Sequence, residues 1–137
     1  MPEKKTVERA KAALREGKRP TTAAGEFVRE EIEHVRRGQH GARSPKQAIA
    51  IGLSKARRSG VPLPPPGKGQ AKERTRRSAQ AAYEVGQGKR RRKAPSRRRS
   101  EASRGALKRE RKGSVSRKAL SSQARRAAAR RRRRTSR

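Results

Sequence analysis

The sequence predicts a mainly α protein: a three-helix module over residues 1–60, a Pro/Gly linker over 61–69, and a largely disordered polycationic tail over 70–137 in which a partner could induce helices. Three observations predict it. Seven of the 17 Val, Ile, Leu, Met, Phe and Tyr residues fall in Gly25–Gly60, and twelve lie at or before Leu63. Residues 1–60 carry 15 Lys and Arg against seven Glu, whereas residues 61–137 carry 28 against four. Hydrophobic residues are 28% of the chain and charged ones 39%. With that balance, burial cannot offset chain entropy over the full length.

Thr6 to Glu16 reads as the first helix, with Thr6 as N-cap, Gly17 past its end, and Val7, Ala10 and Leu14 as an apolar stripe. The second helix opens at Thr21 or Thr22 and runs to about Arg37. Ala24, Val28, Ile32 and Val35 share one face, with Phe27 at its edge. Its glutamates come early and Arg36 and Arg37 late, the order that suits the helix dipole. Glu31 lies between Phe27 and Ala24 on the wheel. From there it either snorkels at the rim or meets a cation from a neighbouring helix. Ser44-Pro45-Lys46-Gln47 is the clearest local signal: a serine N-cap, proline at N1 and glutamine at N3. The third helix then runs from Pro45 to about Arg58. Ala48, Ile49, Gly52, Leu53 and Ala56 form its apolar face, and Gly52 permits a close helix approach.

Such a unit is marginal, because small domains bury proportionally little surface and this one has a single Phe and no Trp. A homodimer through the N-terminal helices would add to its core. After it, Val61 to Gly69 reads as a polyproline II spacer and flexible joint. A weak helix is expected over Gln70–Val85. Ser116–Arg134 is rich in Ala and Arg, both good helix formers, but arginine repulsion should keep it open until phosphates neutralise it.

A formal charge of +32 and a pI near 12 imply a polyanionic partner. An anionic membrane is disfavoured, since no apolar run is long enough to span one. The N-terminus lacks a signal-peptide core, and its Glu3, Glu8 and Glu16 do not suit a transit peptide. With no Cys, neither disulfides nor thiolate metal sites can form. His34 and His40 read as surface residues rather than metal ligands. Asp is absent and nothing gathers a nucleophile, base or metal, so a non-enzyme without cofactor is expected.

The expected ligand is therefore nucleic acid, with DNA favoured over RNA, in the cytoplasm on the nucleoid. The candidate contacts in and beside the third helix are Arg43, Lys46, Lys55, Arg57 and Arg58. Those in the tail are Lys89, Arg90, Arg91, Arg92 and Lys93, then Arg97, Arg98 and Arg99, and finally Arg130, Arg131, Arg132, Arg133 and Arg134. Phosphate contacts of this kind bind with little sequence preference and strong salt dependence. Sequence-specific reading by the third helix is disfavoured, because the turn from Gly38 to Arg43 exceeds the usual helix-turn-helix length. Only Phe27 and Tyr83 could stack on bases, which weighs against a single-strand platform. Phosphorylation at Ser96, Ser100 or Ser114 would weaken the attraction.

The segments GEFVREEIEHVRRGQHGARS and KQAIAIGLSKARRSG resemble a family of small bacterial basic proteins of unknown function, whose members are often labelled DNA-binding or plasmid-stabilisation-like. With the preceding helix, the resemblance covers about residues 1–66. It lends no mechanism and no functional residues. The tail is similar in composition to those of bacterial histone-like and linker-histone proteins, but it is richer in arginine. After Gly60, Arg outnumbers Lys 21 to seven, which keeps RNA in play as ligand. A third reading is a dimeric plasmid-maintenance or protein-interaction module.

Overall fold

The structure, a computed structural model, describes residues 2–136 and contains six helices: α1 (Lys4–Arg15), α2 (Pro20–Arg36), α3 (Pro45–Arg58), α4 (Glu73–Gly86), α5 (Arg97–Arg109) and α6 (Arg117–Thr135). Helix α2 is the hub, packed on α1 and on α3, while α3 also receives α4 and touches α6.

The start of α3 forms as its residues require. Ser44 is in extended backbone and its Oγ accepts from the Gln47 amide at 3.3 Å. The Gln47 side chain reaches back, its Oε1 accepting from the Arg43 amide at 2.6 Å. The first helix begins earlier than its Thr6 signal suggests, with Glu3 as N-cap. Thr6 is buried inside α1, and its hydroxyl donates to Glu30 Oε1 at 3.2 Å. The Glu3 amide donates to the same oxygen at 2.6 Å. A carboxylate from α2 thus takes the place of a local cap. Helix α2 starts at Pro20 with no side-chain cap, its preset φ suiting the first turn.

Two apolar clusters hold the helices together. The first joins Ala10, Ala23, Ala24, Phe27 and Ala56 to Val61 and Leu63, with Val7, Leu14 and Leu53 packed against it. The proline-rich stretch therefore lies against the helices: Arg57 donates to the carbonyls of Leu63 at 3.2 Å and Pro64 at 3.1 Å. The second cluster joins Val35, Ala42 and Ala48 to Val115.

That second cluster belongs to the main correction the structure makes. The chain after residue 70 is not a disordered tail; it forms α4, α5 and α6. Local chemistry explains part of this. Ser96 and Ser116 cap α5 and α6, accepting from the amides of Arg99 at 3.3 Å and Ala119 at 3.2 Å. Arg97 pairs with Glu101 at 3.0 Å across one turn. Tertiary anchoring explains the rest. Ala79 and Ala82 of α4 are buried. The α5–α6 turn docks on the α2–α3 turn, where the Gly41 amide donates to Leu107 O at 2.7 Å and the Ala42 amide to Arg111 O at 2.9 Å. Ser114 is also buried there, its hydroxyl donating to Arg111 O at 3.3 Å.

A buried ion cluster was legible only in outline. Glu31 is fully buried, and Lys55 of α3 donates to its Oε1. Of the two readings of Glu31, the cation from a neighbouring helix is the one found. His34 and His40 are also turned inward rather than lying on the surface, with side chains 13% and 17% exposed. Truncating Lys55 to Ala would leave Glu31 as an unpaired buried charge. We expect a loss of about 3–5 kcal/mol, read as the denaturant midpoint of the full chain.

Candidate nucleic-acid interface

Most cationic candidates sit on exposed surface, and the fold gathers several into two grooves. The first, about 740 Å³, lies between the N-terminal ends of α3 and α6. Arg43 and Arg111 line it together with Lys118, Arg125 and Arg126 of α6. Among the described residues no carboxylate lines it. Both helices begin here, at Ser44 and Ser116, so the positive ends of two helix dipoles face the same space.

The second groove, about 590 Å³, runs between α3 and α4 beneath the segment 90–95. Arg58, Arg90, Arg91, Arg92 and Lys93 line it. Arg90 is neutralised by Glu84 at 3.0 Å. Partial desolvation pushes the Arg58 guanidinium below its ordinary range, and the nearby charge of Arg92 pushes the same way. Both effects act against a charged Arg58, and a bound phosphate would oppose both.

The remaining candidates are arranged less tightly. Arg97, Arg98 and Arg99 occupy the first turn of α5, where cations oppose the helix dipole. Arg130, Arg131, Arg132, Arg133 and Arg134 lie exposed towards the end of α6, where cations suit it. Lys46 is exposed in the first turn of α3, and Lys89 lies just after α4. Two predicted contacts are engaged elsewhere. Lys55 is held by Glu31, and Arg57 is buried with its donors on backbone carbonyls. Burial also lowers the Arg57 pKa.

Sequence reasoning missed Arg111, Lys118, Arg125 and Arg126. It weighted unbroken cationic runs, whereas these residues are scattered and are brought to Arg43 only by the docking of the α5–α6 turn. A signal was present in Ser116, a serine cap ahead of an Ala- and Arg-rich stretch.

A small, strongly basic, all-helical protein with carboxylate-poor grooves is the class that this geometry defines. Residues 4–68 match a family of unknown function (DUF6496). The match runs from the first turn of α1 into the proline stretch after α3, a little under half of the chain, and leaves α4 to α6 outside it. No curated protein and no solved structure matches the chain. Among the described residues no helix is long and apolar enough to cross a membrane.

Proposed function

We propose that this protein is a non-enzymatic, largely sequence-nonspecific DNA-binding protein that compacts DNA on the nucleoid. The observation that carries this reading is the groove between α3 and α6, where five cations and two helix N-termini converge without a carboxylate. A phosphodiester backbone supplies negative charge at the repeat such a surface needs, and no base-reading geometry is required. The arginines of α6 extend the surface beyond the groove. Their forked guanidinium groups bridge phosphates, and they also suit structured RNA, which makes a folded RNA the right competitor.

The test is salt-dependent binding of the full chain to a DNA duplex and to a folded RNA of equal phosphate content. We expect affinity for the duplex to fall steeply with salt. Replacing Arg130 through Arg134 with Gln should reduce the slope of log K against log salt by up to about 4.5, since each phosphate neutralised contributes about 0.9. Binding unchanged between low and high salt would overturn the reading. Preference for the RNA at equal salt would move the assignment to an RNA-binding protein.

A further inference from the structure

The inward-facing histidines point to a second kind of ligand. Glu31 Oε2 is buried and has no hydrogen-bond partner. His40 Nε2, from the α2–α3 turn, lies 3.2 Å from it. The other ring nitrogen of His40, Nδ1, lies 2.8 Å from the Gly41 carbonyl oxygen, which can only accept. Nδ1 therefore carries the hydrogen in the neutral ring, and the Nε2 lone pair faces the carboxylate.

His34 is arranged the same way with its nitrogens exchanged. Its Nε2 lies 3.4 Å from Glu3 Oε1, an acceptor, which leaves the Nδ1 lone pair towards Glu31 Oε1 at 3.8 Å. The two rings stand edge to face, 6.2 Å apart. Lone pairs aimed at a carboxylate repel it unless the rings take up protons or a cation lies between them. Lys55 answers part of this at Oε1 and does not reach Oε2.

We propose that Glu31, His34 and His40 form a binding site for a divalent transition-metal ion of the zinc type. One carboxylate oxygen and one nitrogen from each ring lie within 4.8 Å of one another, close enough to contract onto one ion. Two imidazoles and a carboxylate are a zinc donor set, and they leave a fourth position for water. The outer contacts also fit. Ligating histidines commonly donate their second N–H to a carboxylate or a backbone carbonyl, which are the roles of Glu3 and Gly41 here. Lys55 is the built-in competitor, because an ammonium on Glu31 repels an incoming dication. The neighbouring set of Glu3, Glu30 and His34 is a weaker candidate, with one imidazole and an exposed carboxylate. Because the bound ion ties α2 to the turn before α3, it would stabilise the fold that carries the cationic grooves.

Isothermal titration of the full chain with Zn2+, and Co2+ absorption in the visible, test this directly. The chain has no Cys and only these two His, so background sites are few. One Zn2+ per chain, tetrahedral Co2+ bands, and loss of both in His34→Gln and in His40→Gln are expected. Glu3→Gln should weaken binding about tenfold through the outer contact. Lys55→Met should bind Zn2+ more tightly, and Zn2+ should raise its Tm by more than that of the unaltered chain. If Lys55→Met fails to fold, the two histidine variants still decide. No saturable binding, or binding that survives in both histidine variants, would overturn the site.

Discussion

Replacing Gly52 with Ala is expected to destabilise the protein, while the same replacement at Gly25 stabilises it. Both glycines are inside helices, in α3 and α2, where Ala is normally favoured by about 1 kcal/mol. At Gly25 that preference acts alone, because the residue is exposed and an added Cβ meets nothing within 4 Å. At Gly52 the Cβ would lie 2.6 Å from Val28 Cα and 2.9 Å from Val28 N. Those are backbone atoms of the facing helix, so no rotamer change relieves the clash and α2 and α3 must separate. Separation loosens the first apolar cluster, to which α2 contributes Phe27 and α3 contributes Ala56. Overpacking costs about 1–3 kcal/mol and sometimes more, which exceeds the helical gain. In a chain of 137 residues each kcal/mol moves Tm by about 3–5 °C. Thermal unfolding followed by circular dichroism of the two variants should therefore shift in opposite directions. A rise in Tm for Gly52→Ala would mean that the two helices do not approach as closely as described.

Gly52 was also legible in advance, and the reason separates what the sequence could say from what it could not. A glycine on the apolar face of a well-capped helix has few uses besides close approach, and the SPKQ signal fixed where that helix begins. The N-terminal three helices were readable because their information is local: caps, a 3.6-residue stripe and ordered charges. The start of α1 was misplaced because its cap partner, Glu30, lies 24 residues from Thr6. The histidines were misread for the same reason, since Glu3 and Glu31 reach them only in the folded chain.

The tail was misjudged on composition. Its mean charge argues for disorder, but one buried valine and two backbone amides outweigh that average at one place. Of the candidate contacts, Lys55 and Arg57 are engaged by Glu31 and by backbone carbonyls, which a cation's place in sequence does not reveal. The first groove was invisible for a related reason: its α6 cations are far from Arg43 in sequence and meet it through the docked turn.

Val115→Asp is expected to release α5 and α6 from the rest of the molecule. Val115 is fully buried against Val35, Ala42 and Ala48, and its carbonyl accepts from Arg36 Nη2 at 3.3 Å. Neither α5 nor α6 has a buried residue of its own, so this turn is their main anchor. Gly41 belongs to the same anchor, since an added Cβ there would run into the Glu110 carbonyl. Burying a valine contributes about 1.5–3 kcal/mol, and the associated hydrogen bonds about 1 kcal/mol each. An unpaired carboxylate in that apolar site costs more than the anchor supplies, so the docked state is lost. Amide exchange should lose protection at Gly41 and Ala42, and protease cleavage should appear between residues 97 and 116. Helices α1 to α4 should keep most of theirs, because the first apolar cluster, which joins α1, α2 and α3, does not include Val115, although Val35 and Ala48 lose a neighbour. The same variant tests the first groove, since undocking moves Arg111, Lys118, Arg125 and Arg126 away from Arg43 while changing the net charge by one. If DNA is held in that groove, the salt slope must fall by more than the roughly 0.9 that a single phosphate contact accounts for. A smaller change would mean that α6 binds as a row of charges and that its position against α3 is irrelevant to the ligand.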